Sequence, residues 1–371
     1  MPGQTVRQKI IAQARGIVVK VGTNAICDGA GRPDAKAIDR LASQIAQVMQ
    51  RGVSVTLVAS GAIGSGVAEL GLTGRPKTLP RLQAAAAVGQ GRLMQIFHDI
   101  FARYRVKVAQ VLLTRDDIED RTRYLNIRNT LRALGELGAL PIINENDTVA
   151  VDEIRFGEND ILAALVTTML GADVAVFLTS VDGLMHDGQV VDVVEQVDPQ
   201  ALSLVDPDRS SLGSGGMKSK LLAADLVTRA GQVAVIANAH TDQVLVRLME
   251  GQALGTVFVP SPRRMSSRTR WIASAPRARG KIVVDEGAAR ALVQRGTSLL
   301  PSGVIGVIGQ FPKGAMVAVV DASGRQVARG LANYSSAGID RIKGLKTSAI
   351  AKVLGDKPYD EVIHRNNLAL G

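Results

Sequence analysis

The chain has one cysteine, Cys27, in 371 residues. No internal disulfide can form, and a cytoplasmic protein is expected. Histidine is almost as scarce: His98, His186, His240 and His364 stand far apart. That spacing excludes a His/Cys metal cluster, and without a GxSxG elbow nothing supports triad hydrolysis. No apolar run reaches the roughly 18 residues of a membrane span, so a soluble protein is expected. The first fifteen residues are basic but lack the apolar core and small-residue cleavage site of a signal peptide; residues 1–15 read as a flexible extension.

What is there is an ordinary globular composition, 46% hydrophobic and 21% charged, long enough for about two domains. Charge is unevenly placed. Residues 261–371 carry 18 basic against 7 acidic residues, a net +11, whereas residues 1–260 carry 26 against 27, a net −1. A near-neutral body with a basic tail suggests an anionic partner for the tail, with mere solubility as the equal alternative.

Through residues 16–260, short β-branched runs alternate with amphipathic helical stretches, the pattern of βαβ units around a buried parallel sheet. Strands are expected at 16–21, 53–59, 106–113, 139–143, 174–178 and 233–237, and Pro33-Asp34 opens a helix with Ile38, Leu41, Ile45 and Val48 on one face. Residues 261–280 are polar, basic and turn-rich, a linker. Residues 281–371 read as a small, mainly β module: strands at 280–285 and 327–331, a helix at 286–295, two strands joined by a Pro-Lys-Gly turn within 303–320, and a helical tail.

Ligands of an open parallel sheet gather beyond the carboxyl ends of its strands. Here those ends are Lys20 to Asn24, Ser60 and its glycines, Asn144 to Asp147, and Thr179-Ser180. A lysine closing an apolar strand either meets a charge or snorkels to the surface, and a phosphate would supply the charge. Leu212 to Lys220 (LGSGGMKSK) precedes a helix, so its glycines would aim amides at an anion where the dipole is positive, with a capped flexible loop as the plain alternative. Neither GxxxxGK[ST] nor a GxGxxG after the first strand is present, which weakens P-loop and Rossmann readings. Glu158, Asn159 and Asp160 open an apolar helix; capping explains acids there, while the functional reading has Asn159 donating to a substrate carboxylate and Asp160 neutralising facing lysines. Asp147 could bind a substrate ammonium.

The segments KVGTN, ASGAIGSG, AAVGQGRLMQ, LLTRDDIEDRTRYLNIRNTLRAL, INENDTVA, GENDILAALV, GADVAVFLT and SGGMKSK together resemble the glutamate-phosphorylating branch of the amino-acid kinase family. SGAI followed by INEND is specific to that branch. VDEGAARAL, RGTSLLPSG and ARGLANYSS resemble a PUA module. The similarity spans about residues 16 to 365. It implies a three-layer αβα sandwich around a mainly parallel sheet, then a small mainly-β PUA domain, and ATP-dependent phosphorylation of the L-glutamate side chain at the head of proline synthesis. By motif, it implies that Lys20 and Lys220 flank the transferred phosphoryl group with Asp160 organising them, that Ser60, Asp147 and Asn159 bind glutamate, and that Lys20, Thr179, Ser180, Ser214, Gly215, Gly216, Met217, Lys218, Ser219 and Lys220 meet ATP. Mg²⁺ would ride on the ATP phosphates without a dedicated site. Proline feedback and dimer or tetramer formation are further implications, and the basic tail gives weak RNA binding as an expectation.

The chain departs from the family pattern on the nucleotide side. Ser180 replaces the usual Asp, Met185 the usual Tyr, His186 to Val197 lack the usual Asp-Pro, and Glu158 replaces Asp. Two other readings compete: a kinase of aspartate, N-acetylglutamate or carbamate, against which SGAI and INEND argue, and an RNA-binding protein with the kinase body as scaffold. The tail has few aromatics on which bases could stack, Phe311 and Tyr334 among them.

Overall fold

The computed structural model describes residues 6–29, 31–149, 158–197, 216–260 and 278–370. The chain divides into two compact units, Met1–Arg264 and Met265–Gly371.

In the first unit β1 (Gly16–Val21), β2 (Ser54–Ala59), β3 (Lys107–Leu113), β4 (Ala139–Glu145), β5 (Val174–Thr179), β8 (Val193–Val194), β9 (Val233–Asn238) and β10 (Thr256–Phe258) form one sheet. Its order is β3-β4-β2-β1-β5-β9-β10-β8. From β3 to β9 neighbours are parallel. β10 runs antiparallel to β9, and β8 is parallel to β10. Between β5 and β8, β6 (Met185–His186) and β7 (Gln189–Val190) make a hairpin. Its turn residues Asp187 and Gly188 both have positive φ, as a two-residue Asp-Gly turn requires.

Helices cover both faces because successive strand residues point to opposite sides. Ile17, Val19 and Val21 enter one core with residues of α1 (Ala35–Gln50), α3 (Leu79–Arg103) and α7 (Val244–Met249). Val18 and Lys20 are left for the other face, where α5 (Glu158–Leu170) packs on β1 and β5 and against α6 (Met217–Arg229). Helix α1 starts where expected: Asp34 accepts from the Lys36 and Ala37 amides, and Ile38, Leu41, Ile45 and Val48 are buried. Between β2 and β3, α2 (Ala62–Glu69) packs on α3; α4 (Arg121–Glu136) packs on β4.

The expected loose extension over residues 1–15 does not hold for its described part. Arg7–Ile11 forms a helical turn with Arg7 and Ile11 buried. The Arg7 guanidinium donates to the carbonyls of Leu254 (3.0 Å) and Gly255 (3.1 Å) and pairs with Asp192 at 2.5 Å. Long-range carbonyl partners of this kind leave no mark on local sequence.

The second unit is a five-stranded sheet of order β12-β11-β13-β14-β15, with β11 at Lys281–Val284, β12 at Val304–Ile308, β13 at Met316–Val320, β14 at Gln326–Leu331 and β15 at Leu368–Leu370. The two strands expected within 303–320 are β12 and β13, with the Pro-Lys-Gly segment between them; β11 lies between them in the sheet, antiparallel to β12 and parallel to β13. One expectation is corrected here. The tail is not only helical, because β15 returns to pair with β14. Helix α8 (Glu286–Arg295), capped by Asp285, and α9 (Ser336–Ile342) contribute Leu292, Ile339 and Ile342 to a core of this unit's own.

Candidate active site

The carboxyl ends of β2, β1 and β5 lie side by side, and Lys20 is the penultimate residue of β1, opposite Val58 and Phe177 in the neighbouring strands. It does not snorkel to the surface. Its Nζ meets Asp160 Oδ1 at 2.7 Å, with side chains 3% and 0% exposed. Asp160 sits in the first turn of α5, where the helix dipole also favours an anion. From the start of α6, Lys220 brings a second ammonium to Asp160 Oδ2 at 3.3 Å, its side chain 7% exposed, and Ser219 Oγ donates to the same oxygen at 2.6 Å.

Burial by itself would raise the Asp160 carboxyl, but Lys20 and then Lys220, with hydrogen bonds from Lys20 and Ser219, outweigh it and hold the group below the usual carboxylate range. Lys220 is pushed down, by burial first and by Lys20 as well, with Asp160 opposing. Two ammonium groups thus share one carboxylate in a site closed to water, an arrangement whose positive potential suits an anion.

Beside it lies a chain of amides. Asn159 Nδ2 donates to Ser60 Oγ (2.9 Å) and Asn144 Oδ1 (3.1 Å), and Asn144 Nδ2 donates to Gln90 Oε1 (2.8 Å). The structure therefore brings Ser60, Asn159 and Asp160 together. It also corrects one detail: both N–H groups of Asn159 are already used, so it has none left to give a substrate carboxylate. Asp147 lines a cavity of about 290 Å³ with Ala62, Ala86, Gln90, Asn146 and Thr148, near the lower end of small-ligand sites, roughly 300–1,000 Å³. Arg75 is close enough for its charge to interact with Asp147. Sequence reading missed Arg75 and Gln90, and named Asn144 only as part of the Asn144–Asp147 strand end. Arg75 lies in a turn-rich stretch without periodicity; Gln90 looks like an ordinary polar residue of a helix.

On the other side of β1, Thr179 ends β5, and its carbonyl accepts from the Ala239 amide at 2.8 Å; Ser180 is exposed. Asn238 Nδ2 bridges to Asp182 Oδ1 at 2.8 Å. Gly216 precedes α6, Met217 opens it, and Lys218 points to solvent. Ser214 and Gly215 lie outside the described residues. The segment that departs from the family pattern is the β6–β7 hairpin, tied down where the Leu184 amide donates to Thr256 Oγ1 at 2.8 Å. Burial, with Asp28 and Asp34 nearby, pushes the Cys27 thiol up to about 12, which disfavours a reactive thiolate.

A parallel sheet with ammonium groups and helix starts gathered at its carboxyl edge defines a class. The chain belongs to the amino acid kinase family, whose model matches residues 15–238; a PUA domain model matches residues 280–354. Within that family its near-full-length relatives are glutamate 5-kinases. The chain is 46% identical to glutamate 5-kinase of Moorella thermoacetica, over 96% of this chain and 97% of the relative. It is 47% identical to that of Caldanaerobacter subterraneus, over 95% and 97%, and 44% identical to that of Syntrophus aciditrophicus, over 98% and 96%. Among the described residues, no helix is long and apolar enough to cross a membrane.

Proposed function

We propose that the chain transfers the γ-phosphoryl group of ATP to the side-chain carboxylate of L-glutamate, giving L-glutamyl 5-phosphate, the first step of proline synthesis. The observation that carries this reading is the buried trio of Lys20, Asp160 and Lys220. A carboxylate acceptor with a pKa near about 4 is already ionised at neutral pH, so the reaction needs no general base. Its difficulty is electrostatic, since an anionic nucleophile must approach an anionic phosphoryl group. Fixed ammonium groups aimed at the transferred group spread that charge in the transition state without reorganising.

In this reading Lys20 and Lys220 flank the phosphoryl group and Asp160 holds both in place. Ser60, Asp147 and Asn159 hold glutamate. Thr179, Ser180 and the segment Ser214 to Lys220 hold ATP. The ATP phosphates would carry Mg²⁺, which would supply further positive charge; Asp160, committed to two ammonium groups and Ser219, would not be needed to hold it. The net +11 of residues 261–371 supports a weak, salt-sensitive RNA contact for the PUA unit. Proline as inhibitor and assembly into dimers or tetramers rest on the family resemblance, and a cytoplasmic location on composition.

Trapping acyl phosphate with hydroxylamine in the presence of ATP and Mg²⁺ tests the reading. Glutamate should give hydroxamate, and aspartate and N-acetylglutamate far less. Nucleotide turnover that ignores glutamate, or equal yields from the three acids, overturns it.

A further inference from the structure

The amide chain beside the lysines has a direction, and one backbone group sets it. The Glu145 amide donates to Asn144 Oδ1 at 2.9 Å. A backbone N–H can only donate, so the face that Asn144 turns to Glu145 and Asn159 is its carbonyl. Asn159 must then offer Nδ2 to that oxygen, and its second N–H goes to Ser60 Oγ. Behind them, Asn144 Nδ2 is held by Gln90 Oε1, with Asn144 3% and Gln90 9% exposed.

With both N–H groups spent, the Oδ1 of Asn159, shielded from solvent, has no hydrogen-bond partner among the described residues. An unmet buried acceptor costs stability unless a donor arrives. Ser60, which accepts from Asn159, keeps its own hydroxyl hydrogen for a carboxylate oxygen. We propose that Asn144, backed by Gln90, is a positioning residue that locks the Asn159 amide with its oxygen toward the substrate, so that the site selects an α-ammonium group over a bare dicarboxylate. This rests on the glutamate reading above. An ammonium N–H meeting that oxygen is a charge-assisted hydrogen bond. With the lock removed, the amide can turn over and present N–H instead, losing the acceptor.

The test compares glutamate with glutarate, which has the same two carboxylates and no ammonium. The KM for glutamate and the inhibition constant of glutarate against it are measured in the full-length enzyme. In the wild type, glutarate should bind at least about tenfold more weakly than glutamate. Asn144→Leu should shrink that ratio about tenfold by raising the glutamate KM, with the KM for ATP moving less than about twofold. Asn144→Asp keeps the accepting oxygen and should keep or widen the ratio, because its negative charge repels the glutarate dianion more than glutamate, which carries an ammonium. Gln90→Leu removes only the backing and should shrink the ratio about threefold, which tests the relay if Asn144→Leu does not fold. Equal losses for glutamate and glutarate in Asn144→Leu, with wild-type activity intact, overturn this inference alone. A wild type that forms no glutamate-dependent acyl phosphate overturns the functional reading with it.

Discussion

Lys20 and Lys220 are two hundred positions apart in the chain and share one carboxylate in the fold. If they act on the transition state, Lys220→Ala should lower kcat by about a hundredfold or more while the glutamate KM stays within about threefold; a change in KM alone would contradict that role. Because Lys220 is held below the ordinary lysine value of 10.5, kcat/KM for ATP should begin to fall at a pH below 10.5, and a profile flat to that value would remove Lys220 from the chemistry. Both contributions to stability grow as pH rises, each in its own window. Asp160 is depressed in the native state, so its contribution is complete above the unfolded carboxylate value and lost as pH falls through the native one. For Lys220 the native state holds fewer protons than the unfolded state between its native value and 10.5, so that contribution improves as pH rises through the window. Asp160→Asn removes the carboxylate that both buried ammonium groups share and should cost about 3–5 kcal/mol in urea unfolding at neutral pH. The suspicion that Lys20 and Asp160 meet a charge was legible from a lysine ending an apolar strand and an acid starting an apolar helix. That each is the other's partner was implied only by the family resemblance, because capping and snorkelling explain the same letters.

The glycine-rich ASGAIGSG segment reads as a turn or an anion cradle, and the fold uses most of it for packing. Gly61 takes φ 112° at the start of α2, a conformation that side chains resist. Gly64 lies against the Gly31 carbonyl, and a Cβ on Gly66 would run into the Ala85 carbonyl of α3, as one on Gly89 would into that of Ala62. Helices α2 and α3 therefore touch backbone to backbone. Gly66→Ala and Gly89→Ala should each cost at least about 1–3 kcal/mol, seen as a lowered urea midpoint. Gly91, two residues further along α3, has open space where its Cβ would go, and Gly91→Ala should gain about 0.5–1 kcal/mol. Strands and helices were legible wherever period and length agreed, as in β1 and α8. The β6–β7 hairpin carried a readable sign in its Asp187-Gly188 pair, but against a family pattern it registered only as an irregular loop.

Each of the two units has its own apolar core, and the Lys20–Asp160–Lys220 trio and the amide chain lie wholly in the first. A chain ending at residue 264 should keep glutamate-dependent hydroxamate formation within about threefold of the full-length enzyme, since no site residue is removed; loss of activity with the first unit still folded would place a functional contribution in the second. The sequence by itself determined the class of the first unit and the charge contrast between residues 1–260 and 261–371, because hydrophobic period, turn residues and composition are local properties that survive in one dimension. Only the tertiary structure decided what depends on pairing across long separations. It put β11 between β12 and β13, tied Arg7 to carbonyls near residue 254, and turned the amide of Asn159 by way of Asn144. It also made Lys20 and Lys220 partners of one buried carboxylate: in a site closed to water a charge is tolerable only beside its opposite, and which residues become neighbours is settled by the fold.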